Sequence, residues 1–473
     1  MQKKNQLLEG PVISSILRLA IPIVIANILQ AGYQLTDAFW VGRLGGNAVA
    51  AVSVSTPVVF LTIALGAGLA IAGSILIAQY VGARNFAMVN HVAAQTLLMI
   101  ILVSLVLGGA GYLFSPRFLH LLKVAPEVYS GALGFMRITF IGLVFNFAFF
   151  VFQSVMRGIG NATIPVYIVL GTVLLNFALD PVFIFGWHFI PAMGVKGAAL
   201  ATLCTQSIAA LIGIVILFRG KTGIHLQWKN FVPDPVYMRR AFYIGLPASV
   251  EQSMRALGLT IMTFLIAGFG TTTMASYGAG STILQLVIIP AMGLSMSIST
   301  LAGQNIGAGN IARADRVGRI GALLGFSVLT AMGILVYFFA ATLVRFFIPA
   351  DEVVVRGGAG FLHIMSLSWG FLGLQLCLTG VLRASGNMVM AMVLTLVSQW
   401  VLQFPLAFIL SRHTGLGEDG LWWAFPVSNI TIAMITMGVY ARGDWKKKRL
   451  TDEDNELSDK VSNEAMLDEL PKS

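Results

Sequence analysis

Apolar residues along this chain gather in long, nearly unbroken runs separated by short polar breaks. The runs lie near 15–41, 52–79, 93–114, 131–156, 163–187, 194–218, 241–268, 279–303, 318–340, 359–382, 389–411 and 419–440. Each is about 20 residues or longer, the length a helix needs to cross a hydrocarbon core of roughly 30 Å. Transmembrane barrels instead show short segments that alternate apolar and polar side chains, and no such pattern occurs. The runs predict an all-α integral membrane protein with twelve transmembrane helices. The longest polar break, FRGKTGIHLQWKNFVPDPVYMRR at 218–240, splits them six and six. This predicts an N-terminal lobe over 1–217, a cytoplasmic linker over 218–240, a C-terminal lobe over 241–441 and a disordered cytoplasmic tail over 442–473.

The two halves resemble each other. LAIPIV at 19–24 is matched by IGLPAS at 244–249, and QYVGARN at 79–85 by QNIGAGN at 304–310, both at an offset of 225 residues. MRGIGNAT at 156–163 pairs with LRASGNMV at 382–389, at an offset of 226. Three matches in order at nearly one spacing argue for a duplicated six-helix unit. Six is even, so both copies begin on the same side of the membrane and the repeats are parallel. That arrangement is common among secondary transporters, with substrate handled between the halves.

Composition and charge agree with this reading. Of 473 residues 57% are hydrophobic and 11% charged, whereas a soluble protein carries about 25% charged residues. A net charge of +10 invites a nucleic-acid partner, but the basic residues are spread over loops, where membrane topology accounts for them. With the N-terminus inside, cytoplasmic segments hold most of the Lys and Arg, including Arg219, Lys221, Lys229, Arg239, Arg240, Arg313, Arg316 and Arg319. Fewer, such as Arg43, Lys123 and Arg412, fall outside. Both termini are therefore expected in the cytoplasm. The first fifteen residues are polar and show no cleavable signal. Cys204 and Cys377 lie in separate spans, unpaired by spacing, and read as inert buried thiols.

Three of the twenty acidic residues sit inside predicted spans: Asp37, Asp180 and Glu251. An ionisable side chain at mid-membrane costs at least about 2.5–3.5 kcal/mol, so such residues mark an ion or substrate path. Asp37 lies about 22 residues into the first span and Asp180 about 17 into the fifth, which at 1.5 Å per residue puts both in the outer half. Asn176 precedes Asp180 by four residues and Gln34 precedes Asp37 by three, so each amide shares a helix face with its acid. Pro181 removes one backbone donor and frees the carbonyl of Phe177, which is tolerated where backbone lines a polar cavity. The alternative for Asp37 is a helix-end cap or a pair with Arg43. Glu251, near the midplane, either pairs with Arg255 four residues on or takes part in cation binding. The repeat position of Asp180 falls at Phe404, Pro405 or Leu406. The proline recurs without the acid, and the coupling chemistry is expected to be asymmetric.

Gln30, Gln285, Gln375, Gln399 and Gln403, with 20 Met and 31 Phe, suit a broad substrate cavity, since Met and aromatic surfaces adapt to varied ligands and attract organic cations. Most Met and Phe in a membrane protein face lipid or pack helices. No GxxxxGK[ST] is present, so ATP hydrolysis is not expected. The histidines lack metal-ligand spacing, and no nucleophile–base pair is found. No enzyme activity and no cofactor are expected.

TDAFWVGRLGG at 36–46, LDPVFIFG at 179–186 with GVKGAALAT at 194–202, and QYVGARN with QNIGAGN resemble the multidrug and toxic compound extrusion (MATE) family through essentially all twelve spans. The resemblance implies two pseudo-symmetric six-helix bundles around a central cavity. It also implies export of drug-like, often cationic compounds against an inward flow of protons or sodium ions. Carried over by motif, Asp37, Asn176, Asp180 and Thr202 match the cation-coupling residues of the N-terminal lobe, with sodium at Asp37, Asn176 and Asp180 one alternative. One branch of the family adds an acid in the tenth helix. This chain has none between Phe361 and Arg383, and it resembles the bacterial branch that couples through the N-terminal lobe.

The expected function is therefore a multidrug efflux antiporter in a bacterial inner membrane. It would act as a monomer surrounded by lipid on small-molecule substrates, with no nucleic-acid partner. Gln34, Glu251, Arg255, Gln285 and Gln375 are expected to line its substrate cavity. A flippase for lipids or lipid-linked sugars is the alternative within the same wider superfamily. That activity would favour more Arg and Lys within the spans than Arg137 and Arg255. An ion channel or a membrane enzyme is the reading from another class.

Overall fold

The computed structural model describes residues 7–349, 351–451 and 461. Among these residues the chain is helical, and its one extended pairing is the isolated bridge between Trp187 and Ile190. The helices are α1 (Val12–Gly42), α2 (Gly46–Gly82), α3 (Phe86–Leu121), α4 (Pro126–Gly158), α5 (Thr163–Phe185), α6 (Val195–Arg219), α7 (Pro235–Ala267), α8 (Thr271–Gly307), α9 (Ile311–Phe347), α10 (Glu352–Ser366 and Trp369–Ala384), α11 (Met388–Arg412) and α12 (Glu418–Arg442). Ten are long and apolar enough to cross a membrane alone, and the two halves of α10, bent by 51°, qualify as one further span. The remaining helix, α7, carries Arg239, Arg240, Glu251 and Arg255, charges that dilute its apolar character.

Twelve helices stand where the apolar runs predict them, but most are longer. The third run, expected over 93–114, is a helix from Phe86 to Leu121. Hydrophobicity ends where a helix leaves the hydrocarbon, whereas the helix itself continues until a cap or a turn stops it. In α10 the interruption falls at Leu367 and Ser368. The Ser368 hydroxyl donates to the Met365 carbonyl at 3.1 Å and accepts from Asn429 Nδ2 at 3.1 Å.

The repeated motifs are turns. In QYVGARN, Arg84 takes a left-handed conformation with φ of 60°, and in QNIGAGN Gly309 does so with φ of 76°. Asn85 and Asn310 then cap the following helices, accepting from Met88 N at 3.0 Å and Arg313 N at 3.2 Å. The amide bonds of Asn85 to Tyr80 and of Asn310 to Asn305 close the same backbone loop. In MRGIGNAT and LRASGNMV the left-handed residues are Gly160 and Gly386, with φ of 83° and 87°. The motifs match because a helix–turn–helix of fixed geometry needs a left-handed residue and a polar cap in fixed order.

By packing, residues 25–249 form one compact unit, and residues 250–451 with 7–24 form the other. The divisions fall inside α1, between Val24 and Ile25, and inside α7, between Ser249 and Val250. They do not fall in the polar loops that bound the lobes at 1–217 and 241–441. The two positions are one repeat apart, and each lies two residues beyond the proline of its motif, Pro22 or Pro247. A proline inside a helix removes one ladder hydrogen bond and permits a bend there.

Each unit fastens the segment that leaves its last helix. In the first unit, the 218–240 stretch buries Ile224 and Leu226 and forms a short 3-10 turn at Trp228–Phe231. Gln95 of α3 donates to the carbonyls of Asn230 at 2.8 Å and Val232 at 2.6 Å, and it accepts from Asp234 N. His91 Nε2 lies 3.0 Å from Asp234 Oδ2. In the second unit the strap follows α12. Trp445 is buried and stacks on Tyr440. Asp315 of α9 accepts from Tyr440 at 2.8 Å and Arg319 at 2.7 Å, with Lys446 Nζ 3.2 Å away. Arg449 donates to the Gly307 carbonyl. The tail expected to be disordered from 442 therefore begins as folded structure through Leu450, and residues 452–460 and 462–473 lie outside the described residues. Its mean composition concealed one buried Trp, one buried Leu and a counter-charge on α9.

Candidate functional site

Three helices of the 25–249 unit build a polar cluster. On α1, Tyr33 and Asp37 are four residues apart and share a face. On α5, Asn176 and Asp180 do the same. On α6, Thr202 and Thr205 face them. Small residues permit the approach of α6 to α5. A Cβ added at Gly197 would sit 2.3 Å from the Phe183 carbonyl oxygen, which gives the GVKGAALAT stretch a packing reason. Trp40 sets α1 against α5 through ring contacts with Phe177 at 5.8 Å and Phe185 at 6.1 Å.

Asn176 Nδ2 donates to Asp180 Oδ1 at 3.1 Å, and both residues are completely buried. The Thr202 hydroxyl donates to Asp37 Oδ2 at 3.3 Å. Asp37 neighbours both Asp180 and Asn176. Tyr33 and Thr205 share a 2.5 Å hydroxyl–hydroxyl hydrogen bond at the edge of the cluster. Asp37 Oδ1, Asp180 Oδ2 and Asn176 Oδ1 are buried without partners. Three acceptor oxygens of neighbouring residues thus have no donor. This is the donor set of a proton or of a hard cation, for which carboxylate, amide and hydroxyl oxygens are the usual ligands. Among the described residues no three His, Cys, Asp or Glu side chains gather into a metal-binding group.

Asp37, Asn176, Asp180 and Thr202 are therefore adjacent. Asp37 does not pair with Arg43, whose guanidinium lies over Phe39 and Trp40 at 4.6 and 5.2 Å. Gln34, offered as the amide companion of Asp37, is exposed. A spacing of three residues leaves it about 60° around the helix from Asp37, and the carboxylate takes its hydrogen bond from Thr202 instead. Tyr33 and Thr205 went unnoticed in the sequence, although Tyr33 precedes Asp37 by one helical turn.

Glu251 and Arg255 lie in the other unit. Glu251 is 2% exposed. Its Oε1 accepts from Arg255 at 3.1 Å, Arg383 at 2.5 Å and Thr395 at 3.0 Å. The intrahelical pair with Arg255 is present, joined by two partners from α10 and α11 that no spacing indicated. Gln375 is buried in the same unit, and Gln285 is exposed.

Comparison with known proteins adds to this geometry. The family model MatE matches residues 22–182 and 247–409, one stretch in each half. A probable multidrug resistance protein of Bacillus subtilis (strain 168), YoeA, is 30% identical over 439 residues, covering 91% of this chain and 94% of that protein. A second from the same organism, YpnP, is 28% identical and covers 93% and 98%. The outward-facing structure of a multidrug resistance MATE family transporter of the MOP superfamily superposes with a TM-score of 0.85. It is 24% identical and covers 94% of this chain and 99% of that one.

Proposed function

Because the chain belongs to the MatE family, we propose that it is a multidrug efflux antiporter, exporting drug-like compounds that carry positive charge in exchange for inward protons or sodium ions. The observation that supports coupling through the 25–249 unit is that neighbouring Asp37, Asp180 and Asn176 each hold a buried oxygen without a partner. Two carboxylates placed together repel each other unless a cation or a proton joins them. Ion binding there draws α1 toward α5 and α6, and ion release lets them part. That change in packing accompanies the switch between inward- and outward-facing states. One charge moving inward gains roughly 2.3 kcal/mol per 100 mV of membrane potential, enough to sustain an appreciable drug gradient.

In this reading both termini face the cytoplasm and the membrane is the bacterial inner membrane. The four coupling residues are Asp37, Asn176, Asp180 and Thr202. The test is transport in reconstituted vesicles, with proton and sodium gradients imposed separately. Asp180→Asn keeps the shape of the side chain but removes its charge. It is expected to abolish gradient-driven export while leaving the amount of folded protein unchanged. Undiminished export by this variant overturns the reading.

A further inference from the structure

The Glu251 cluster holds more positive charge than it neutralises. Two guanidiniums, Arg255 and Arg383, converge on one carboxylate oxygen. Among the described residues neither guanidinium pairs with another carboxylate, so one positive charge is left over. Glu251 is enclosed, at 3% side-chain exposure, but Arg255 is 37% exposed and Arg383 20%. An arginine open to lipid at this depth is unfavourable, whereas one facing a water-filled cleft is tolerated. The open side of this cluster therefore suits a water-filled cleft rather than lipid.

The opposite wall comes from α11. Thr395 meets Glu251, and Gln399 lies against Gly258, where an added Cβ would be 2.6 Å from Gln399 Nε2. Both contacts advance in the same direction along α7 and α11, so Arg255 sits on the turn between them. There α11 is wound as a π-helix, Val397–Gln403, a form that interrupts the regular ladder and occurs often at functional sites. Arg255 Nε and Gln399 Oε1 are buried and have no partner. The Gln399 amide can turn either end toward a ligand.

We propose that Arg255, Arg383 and Gln399 form a subsite for the acidic group of an exported solute, a carboxylate or a phosphate. The unspent charge supplies attraction, and the planar guanidiniums supply donors in the fork that such groups accept. The inference rests on the efflux reading and narrows its substrates to compounds that carry an acidic group beside a cationic body. Arg255 is the removable member, since Glu251 keeps Arg383 and Thr395 without it.

Equilibrium binding tests this independently of transport. The probes are rhodamine 110, which has a free carboxylate, and rhodamine 123, its methyl ester, titrated by fluorescence polarisation against the full chain in phosphatidylcholine-containing micelles. The intact protein is expected to favour the acid over the ester. Arg255→Gln is expected to weaken rhodamine 110 by about tenfold, the loss of one charge-assisted hydrogen bond, and rhodamine 123 by less than about twofold. Arg255→Lys, which keeps the charge, is expected to restore part of the difference. Equal weakening of both dyes, or no weakening of the acid, overturns the subsite. So does displacement of rhodamine 110 by phosphatidylglycerol, which would assign the pocket to a lipid headgroup. Failure of the efflux reading would show instead as absent gradient-driven transport with these binding differences intact.

Discussion

The hydroxyl of Thr202 donates a 3.3 Å hydrogen bond to the carboxylate of Asp37, a residue 165 positions earlier in the chain. It ties α6 to α1 beside Asp180, and it holds one Asp37 oxygen while the other stays without a partner. Thr202→Val keeps the shape and removes the donor. Loss of a hydrogen bond to a charged group amounts to about 1.5 kcal/mol at the weak end of the range. The half-saturating concentration of the coupling ion is expected to change by about tenfold, with export persisting at saturating ion. Ion titration in reconstituted vesicles measures it.

Glu251 offers a test of a different kind. Removing the buried carboxylate by Glu251→Gln leaves two half-open guanidiniums facing each other, and the cost falls below the roughly 3–5 kcal/mol of a fully buried pair because solvent screens Arg255. Thermal denaturation in detergent is expected to show a large drop in melting temperature. Replacing both Glu251 and Arg383 by Met removes charge in balance, and is expected to recover most of the loss. An unaltered melting temperature in Glu251→Gln would contradict the ion cluster.

The strap after α12 should matter for stability although it lies outside the twelve helices. Trp445 is 1% exposed, and Trp→Ala in a core costs about 3–5 kcal/mol. Trp445→Ala is expected to lower the melting temperature and to expose the chain after Arg442 to protease. The cleavage pattern under limited proteolysis reads this directly.

Arg84 is the left-handed residue of the first repeat, where the second repeat has Gly309. An L-residue with a side chain pays roughly 1–2 kcal/mol in this conformation. Arg84→Gly is expected to raise stability by about 0.5–1 kcal/mol, the relief being partly offset by the greater freedom of glycine when unfolded. Gly309→Val, the reverse kind of change, is expected to destabilise. Paired melting curves of the two variants decide it.

Much of the architecture was legible along the chain. Apolar runs give the helices because a bilayer accepts only segments whose backbone polar groups are satisfied internally. The duplicated motifs were legible because a turn repeats its left-handed residue and its cap at fixed spacing. Asn176 with Asp180, and Glu251 with Arg255, could be paired because helical periodicity alone places residues four apart on one face.

What the sequence could not contain was the rotation and approach of one helix against another. That geometry turned Gln34 away from Asp37, added Arg383 and Thr395 to Glu251, and divided the packing inside α1 and α7 rather than at the polar loops. It also bound Trp445 into the second unit, where composition suggested a loose tail. The physical reason is one of range. Contacts within a helix follow from covalent geometry, whereas contacts between helices depend on how ridges and small residues such as Gly197 and Gly258 interlock. Only the folded chain sets that.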